Sequence, residues 1–259
     1  MIENSLSPTS ITHNLATRFI GQRALYYSSL DSTMEVAKRE VRQGAVEGTV
    51  IIAGEQAAGK GRLKRVWISP RGCLALSIIL YPSLNFLQSL IMLASLAVVR
   101  SIEAVTGLMP QIKWPNDVLI HGKKVCGILI ESEVRGSIVG YSIIGIGVNV
   151  NLKLSDFPEI LPVATSLSEE IRRKVSLLDV TRQLLVEAER LYLSLVAGES
   201  LYEAWRDSLV TLGRMVRAKS SEITYEGIAE SVARDGSLLL RQSNGSLTKI
   251  VAADVTLSD

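Results

Sequence analysis

The sequence predicts an α+β fold: a mixed sheet carrying helices on one face, followed by a small all-β module. Three observations predict it. Strand-like apolar runs cluster instead of alternating regularly with helical patterns, most clearly between Asp117 and Asn151. Long apolar stretches of helical character stand at Phe86–Thr106 and Leu177–Val196. From about Gly213 short β runs are separated by Asp235-Gly236 and Asn244-Gly245, both tight-turn dipeptides.

In chain order, residues 1 to about 18 read as a short polar extension, and a strand is expected around Ala24–Tyr27. Ser32 and Glu35 fit a capping box and Gly44 a helix stop, so a short helix is expected from Ser32 or Thr33. Thr49–Ala53 and Cys73–Tyr81 are apolar runs of the buried-strand type. The helix at Phe86–Thr106 ends where Gly107 and Pro110 break the pattern. Asp117–Ile120 and Lys124–Glu133 flank His121-Gly122-Lys123, a hairpin signal, and Gly136 marks a second turn before a strand in Ile138–Asn151. A proline-containing loop over about 153–166 precedes helical patterns at Leu177–Val196 and Ser200–Leu209. The terminal module, with about five strands, is too short for a large core and is expected to lie against the larger domain. The expected organisation is an extension at 1–20, a main domain at 21–211 and a β module at 212–259.

Composition narrows the function. At 47% hydrophobic and 21% charged, the 259 residues can bury a substantial core, and a net charge of only +2 makes any anion site local. No nucleic-acid partner is expected on that ground. Cys73 and Cys126 lie inside apolar runs and read as buried reduced thiols, and neither they nor His13 and His121 have zinc spacing. The opening residues MIENSLSPTSITHN contain an acid and no apolar core, unlike a signal peptide. Leu90–Val99 is about half a bilayer span and is followed by Arg100 and Glu103, so a buried helix, no membrane partner and a cytoplasmic location are expected.

The chemistry concentrates in Gly54–Trp67, GEQAAGKGRLKRVW, directly after a strand. Glycines let a backbone approach phosphates closely, and Lys and Arg supply the field. Gly54, Gly59 and Lys60 match the G-x-x-x-x-G-K of a Walker A loop. That motif then needs Ser or Thr for magnesium and the start of a helix. Here Gly61 follows, and the chain runs through Pro70 and Gly72 into a strand, so the match fails in chemistry and context.

Gln56, Gly59, Gly61, Arg62, Arg65 and Trp67 instead resemble the G-R-G-R-x-x-R-x-W loop of the biotin protein ligases. Asp31-Ser32-Thr33 is similar to that family's D-S-T-N segment, and Lys113-Trp114-Pro115-Asn116-Asp117 is its K-W-P-N-D motif. Lys124-Val125-Cys126-Gly127-Ile128-Leu129 resembles its K-x-x-G-I-L strand, and Gly145-Ile146-Gly147-Val148-Asn149 its G-x-G-x-N strand. Order and spacing agree from about residue 24 to 150. The resemblance implies a catalytic domain of the class II synthetase/biotin ligase type with a C-terminal SH3-like β-barrel. Lys60 stands where many members have Arg, and Met34 where they have Asn; Leu63 and Lys64 also depart from the most basic form of the loop. Lys60 keeps the charge without bidentate geometry, and Met34 removes a polar group.

The resemblance implies two steps: ATP and biotin give biotinyl-5′-AMP and pyrophosphate, and biotin then passes to a lysine of a biotin carboxyl carrier protein. Bringing a carboxylate to a phosphate demands cations. Arg62 and Lys124 are the candidates, with Lys60 and Arg65 assisting. Biotin contacts are implied at Ser32, Thr33, Met34, Gln56, Gly59, Lys60, Gly61, Arg62, Lys124 and Gly127. ATP contacts are implied at Arg62, Arg65, Trp67, Lys113, Asn116, Asp117, Lys124, Asn149 and Thr165, with Ala164–Leu167 over the adenine. Asp117 either holds Mg²⁺ or orients the incoming amine. Taken alone, Ser32 and Thr33 are equally read as helix caps, Lys124 as a solvated hairpin lysine and Trp114 as core. A homodimer is expected by analogy. The N-terminal helix-turn-helix of some members is not expected here, and so neither is operator binding. A lipoate or octanoate transfer enzyme, and a biotin-binding regulator without turnover, are the alternatives.

Overall fold

The computed structural model describes residues 6–220 and 223–257. In chain order the elements are α1 (Pro8–Thr12), β1 (Ala24–Tyr27), α2 (Thr33–Arg42), β2 (Val50–Ala53), β3 (Leu74–Leu80), α3 (Leu90–Thr106), β4 (Gln111–Lys113), β5 (Asp117–Ile120), β6 (Lys123–Arg135) and β7 (Ile138–Val148). There follow α4 (Leu167–Ile171), α5 (Leu177–Val196), α6 (Tyr202–Asp207), β8 (Met215–Ser220), β9 (Ile223–Val232), β10 (Leu238–Arg241), β11 (Leu247–Ile250) and β12 (Asp254–Leu257). The first seven strands form a mixed sheet in the order β1-β2-β3-β7-β6-β5-β4, parallel only between β1 and β2. The last five form an antiparallel sheet in the order β11-β10-β9-β8-β12. The α+β architecture is as expected.

The placement of helices is not. Side chains alternate across a strand, and in β2 they serve two cores. Val50 and Ile52 join α3 and α5 on one face, while Ile51 joins Ile79, Ile143 and the α2 residues Val36 and Ala37 on the other. Helices therefore cover both faces. The apolar stripe of α2 is narrow and its sequence strongly charged, so it reads as a surface helix until the isoleucines beneath it are seen. The segment Leu84–Thr106, begun by a 3₁₀ turn at Leu84–Ser89, is long and apolar enough to cross a bilayer. Leu90, Leu93, Ala94, Ala97, Val98 and Ile102 are instead buried against the sheet and α5.

The polar extension also differs from expectation. Ser7 caps α1, its hydroxyl accepting from the Ser10 amide at 3.1 Å, and Ser10 Oγ accepts from the Ser7 amide at 2.9 Å. Pro8 occupies the first turn, where its missing N–H costs nothing, and Ile11 is fully buried. Further along, the buried Glu189 carboxylate of α5 accepts the backbone N–H groups of Arg18, Phe19 and Ile20 at 2.5–2.8 Å.

The second sheet is fastened to the first. The fully buried Trp114 donates its indole N–H to Gly236 O at 2.8 Å, and Thr211 Oγ1 accepts the Trp114 amide at 2.8 Å. Tyr202 donates to Val232 O at 2.5 Å. Trp114, within the K-W-P-N-D turn, thus joins the two sheets as core.

Candidate active site

On the α2 face, small residues leave a trough in the sheet. Ala75 of β3, Gly147 of β7 and Gly127 of β6 lie side by side in register, with Asp117 of β5 completing the row. The next row is Ser77, Gly145 and Leu129, and the one after it is filled by Ile79 and Ile143 beneath α2. A floor built largely of glycine, alanine and serine is thus continuous with a packed core. A Cβ on Gly147 would collide with the Trp67 indole, and one on Gly145 would lie 2.6 Å from Met34 Sδ. These glycines are needed because other side chains already occupy the space above them.

The cover is the Gly59–Trp67 segment, folded as a short hairpin. Gly61 N–H donates to Arg65 O at 2.8 Å, and Trp67 N–H to Gly59 O at 2.9 Å. Leu63 at its tip takes a left-handed φ of 53° and is exposed. Gly59 lies so close to the Trp67 carbonyl that no side chain fits, which gives it a role inside the hairpin. Trp67 lies over the floor, with Lys124 Nζ 5.4 Å from its ring centroid, a cation–π arrangement.

The end of α2 forms the adjoining wall. Gln56 Oε1 accepts the Thr33 amide at 2.8 Å and the Thr33 hydroxyl at 3.2 Å, while Ser77 donates to Thr33 Oγ1 at 2.8 Å. Ser32 occupies the N-cap position, yet its hydroxyl makes no capping bond, so the expected Ser32–Glu35 box is absent. Among the described residues its buried Oγ has no hydrogen-bond partner, and neither does the buried Trp67 Nε1. Orphaned buried polar atoms are costly in a folded protein. Two of them on the wall and lid of one cavity fit a ligand that accepts hydrogen bonds.

Charge is concentrated at the far end. Lys124 Nζ lies 2.6 Å from Asp117 Oδ1, and Lys113 Nζ 3.8 Å from Asp117 Oδ2. Arg62 donates to Asn116 Oδ1 at 2.9 Å and to Ala253 O at 3.2 Å. Burial lowers the Arg62 pKa, and the nearby Asp117 and Asp254 carboxylates pull it back up; a guanidinium stays charged across this range. Arg65 is paired with Asp254 of the second sheet, which raises its pKa. Among the described residues no three His, Cys, Asp or Glu side chains gather as a metal cage. Both oxygens of Asp117 face lysines.

The structure brings most of the expected residues to one cavity: Ser32, Thr33, Met34, Gln56, Lys60, Gly61, Arg62, Arg65, Trp67, Asn116, Asp117, Lys124 and Gly127 all line it. Four do not. Gly59 is inside the hairpin, and Lys113 stands behind Asp117. Asn149 is buried and donates to Thr165 O at 3.0 Å, and Thr165 Oγ1 donates to Glu170 Oε1 at 2.5 Å. These two brace the segment beside Lys124, whose amide donates to Val163 O at 2.8 Å. Lys60 lines the cavity, while its ammonium pairs with Glu35 at 2.5 Å. Asp254 and the Ala253 carbonyl were not foreseen, since nothing in a short acidic strand end announces a partner 189 residues earlier.

Known proteins show the same architecture. A family described as "Biotin/lipoate A/B protein ligase family" matches residues 26–149, and "Biotin protein ligase C terminal domain" matches residues 211–258. The "Bifunctional ligase/repressor BirA" of Bacillus subtilis is 37% identical over 258 residues, covering 97% of this chain and 79% of the relative. A "Biotin--[acetyl-CoA-carboxylase] ligase" of Paracoccus denitrificans is 32% identical over 216 residues, covering 79% of this chain and 88% of the relative. The biotin protein ligase of Aquifex aeolicus, solved in complex with biotin and ATP, superposes with a TM-score of 0.79 at 27% identity, covering 92% of this chain and all of that one. The fold and these matches define a protein ligase class. Within it, the chain belongs to the biotin protein ligase family and is a ligase.

Proposed function

We propose that this chain activates biotin with ATP as biotinyl-5′-AMP and transfers it to a lysine of a biotin carboxyl carrier protein. The observation that carries this reading is one cavity in which two unpartnered polar groups, Ser32 Oγ and Trp67 Nε1, lie over a bare floor beside Arg62 and Lys124. A neutral ureido ring with an apolar tail needs a few hydrogen bonds in a smooth pocket, and the Ser32 end supplies that. The carboxylate of such a ligand then extends toward the cations.

In the first step a biotin carboxylate oxygen attacks the α-phosphorus of ATP. The bond from that phosphorus to the bridging oxygen breaks, and pyrophosphate takes the electron pair. Arg62 and Lys124 offset the repulsion between two anions and the charge that builds on the phosphorus oxygens. Asp117 holds Lys124 in place, and magnesium arrives with ATP. In the second step the neutral acceptor amine attacks the acyl carbon, loses a proton and displaces AMP. Asn116 fixes Arg62, and Asn149 with Thr165 supports the strand beside Lys124. We read 21–211 as the catalytic domain and 212–259 as the C-terminal domain, and a homodimer, to be checked by sedimentation, as the assembly.

The test is ATP–pyrophosphate exchange with biotin, lipoate or octanoate as the acid. Biotin-dependent exchange followed by label transfer to a carrier domain is expected. Exchange with lipoate or octanoate alone, or biotin binding without exchange, overturns the reading.

A further inference from the structure

We infer that Glu35 is a positioning residue that holds the Gly59–Trp67 hairpin over the cavity through Lys60. For its consequence in catalysis, this rests on the biotin-activation reading above. Lys60 Nζ is 2.5 Å from Glu35 Oε1 on α2, and the same oxygen is 3.1 Å from Lys38 Nζ. Lys38 in turn lies 2.6 Å from Glu131 Oε2 on β6. The four charges alternate in sign and run from the hairpin through α2 to the sheet. Lys60 chiefly, and Lys38 after it, hold the Glu35 carboxyl below its ordinary pKa. Because Ser32 and Glu35 form no capping box, the Glu35 carboxylate is available to the hairpin.

The turn and the second limb of the hairpin are already fixed, the turn by Arg62 to Asn116 and Ala253 O, the second limb by Arg65 to Asp254. Among the described residues, Glu35 is thus the side-chain tie for the first limb, just after the backbone bonds of Ala57 and Ala58 to Leu30 and Asp31. The tie has a particular geometry: the N-cap Ser32 and the first α2 residues Thr33 and Met34 line the same cavity that Lys60 lines. Joining Lys60 to the first turn of that helix joins lid to wall. A negative charge is also well placed at a helix N-terminus. The Lys60–Glu35 pair is nearly half exposed on both sides, so its effect is modest and sensitive to salt.

The experiment is Glu35→Gln in the full chain, with two readouts. Without substrate, the Gly61 and Trp67 amides, which close the hairpin, exchange with deuterium about two to five times faster than in the wild type. In biotin-dependent exchange, KM for biotin rises by about the same factor, kcat stays within about twofold, and added salt no longer raises KM as it does in the wild type. Glu35→Asp, which keeps the charge, lies nearer the wild type on both. Unchanged amide exchange or an unchanged KM overturns the proposal, as does a loss confined to kcat. If the wild type itself shows no biotin-dependent exchange, the activation reading fails, and the amide exchange alone then decides the role of Glu35.

Discussion

Ser32, Arg62 and Lys124 make separable contributions. Ser32 has a buried hydroxyl with no hydrogen bond among the described residues, so its removal costs little stability. In the proposed complex it becomes a donor to the ligand, a contact worth about 0.5–1.5 kcal/mol, or roughly a 2- to 13-fold change in affinity. Ser32→Ala is expected to raise KM for biotin within that range and leave the urea midpoint unchanged; a lowered midpoint with normal KM would restore Ser32 to simple capping. Lys124→Ala and Arg62→Ala remove charge where it develops in the transition state, and pyrophosphate exchange is expected to fall by about 10²–10³-fold in each. Near wild-type exchange in Lys124→Ala would remove it from the mechanism. That these residues line one cavity was legible in the sequence because reaction chemistry restricts residue types. What was not legible is how groups share bonds: Asn149 and Thr165 sit in a motif and a plausible loop, yet their polar atoms are engaged within the fold.

Among the elements, β7 and the hairpin depend on each other. Gly147→Ala puts a methyl group where the Trp67 indole lies, and the indole must move. The expected result is an altered Trp67 emission and a rise in KM for ATP of at least about tenfold, consistent with losing roughly 1.4 kcal/mol of contact, with far-UV dichroism unchanged. The N-terminal segment makes a different prediction. Glu189→Gln leaves three backbone N–H groups, that of Ile20 buried and the other two partly so, facing an amide with a single acceptor oxygen, and a loss of about 2–4 kcal/mol in unfolding free energy is expected by urea titration. The strands and long helices were readable because their apolar runs are long. α1 was not, since five residues with one apolar anchor, Ile11, give no period, and its stability comes from tertiary contact.

For the whole molecule, the second sheet is part of the site. Its strand β12 reaches Arg65 through Asp254, and the preceding Ala253 carbonyl accepts from Arg62. Asp254→Ala is expected to raise KM for ATP while the C-terminal sheet stays folded, by thermal melting. The turn before β10 has its own pH signature. Lys249, and then the Ser237 amide, pull the Asp235 pKa down to about 2. An unfolded Asp titrates at about 3.9, so this stabilisation is complete above about pH 4 and is lost as pH falls toward about 2. Asp235→Asn is expected to flatten that part of a stability-against-pH curve. The sequence shows the β module through its turn dipeptides, but docking through Trp114, Thr211 and Gly236 depends on surfaces formed only after both sheets fold.

The bare row Ala75, Gly147 and Gly127 has a consequence for how this site can change. Two of its three positions have no side chain to shorten, and the third has a single methyl group. Mutation at the two glycines can only add atoms, and at Ala75 it can remove no more than one methyl group, so the row can shrink the ligand space far more than it can enlarge it. Any drift toward a bulkier acid has to be made from above, at Trp67, Met34 or the hairpin. The sheet is the conservative side of the cavity, and the cover is the side on which selection can act in both directions.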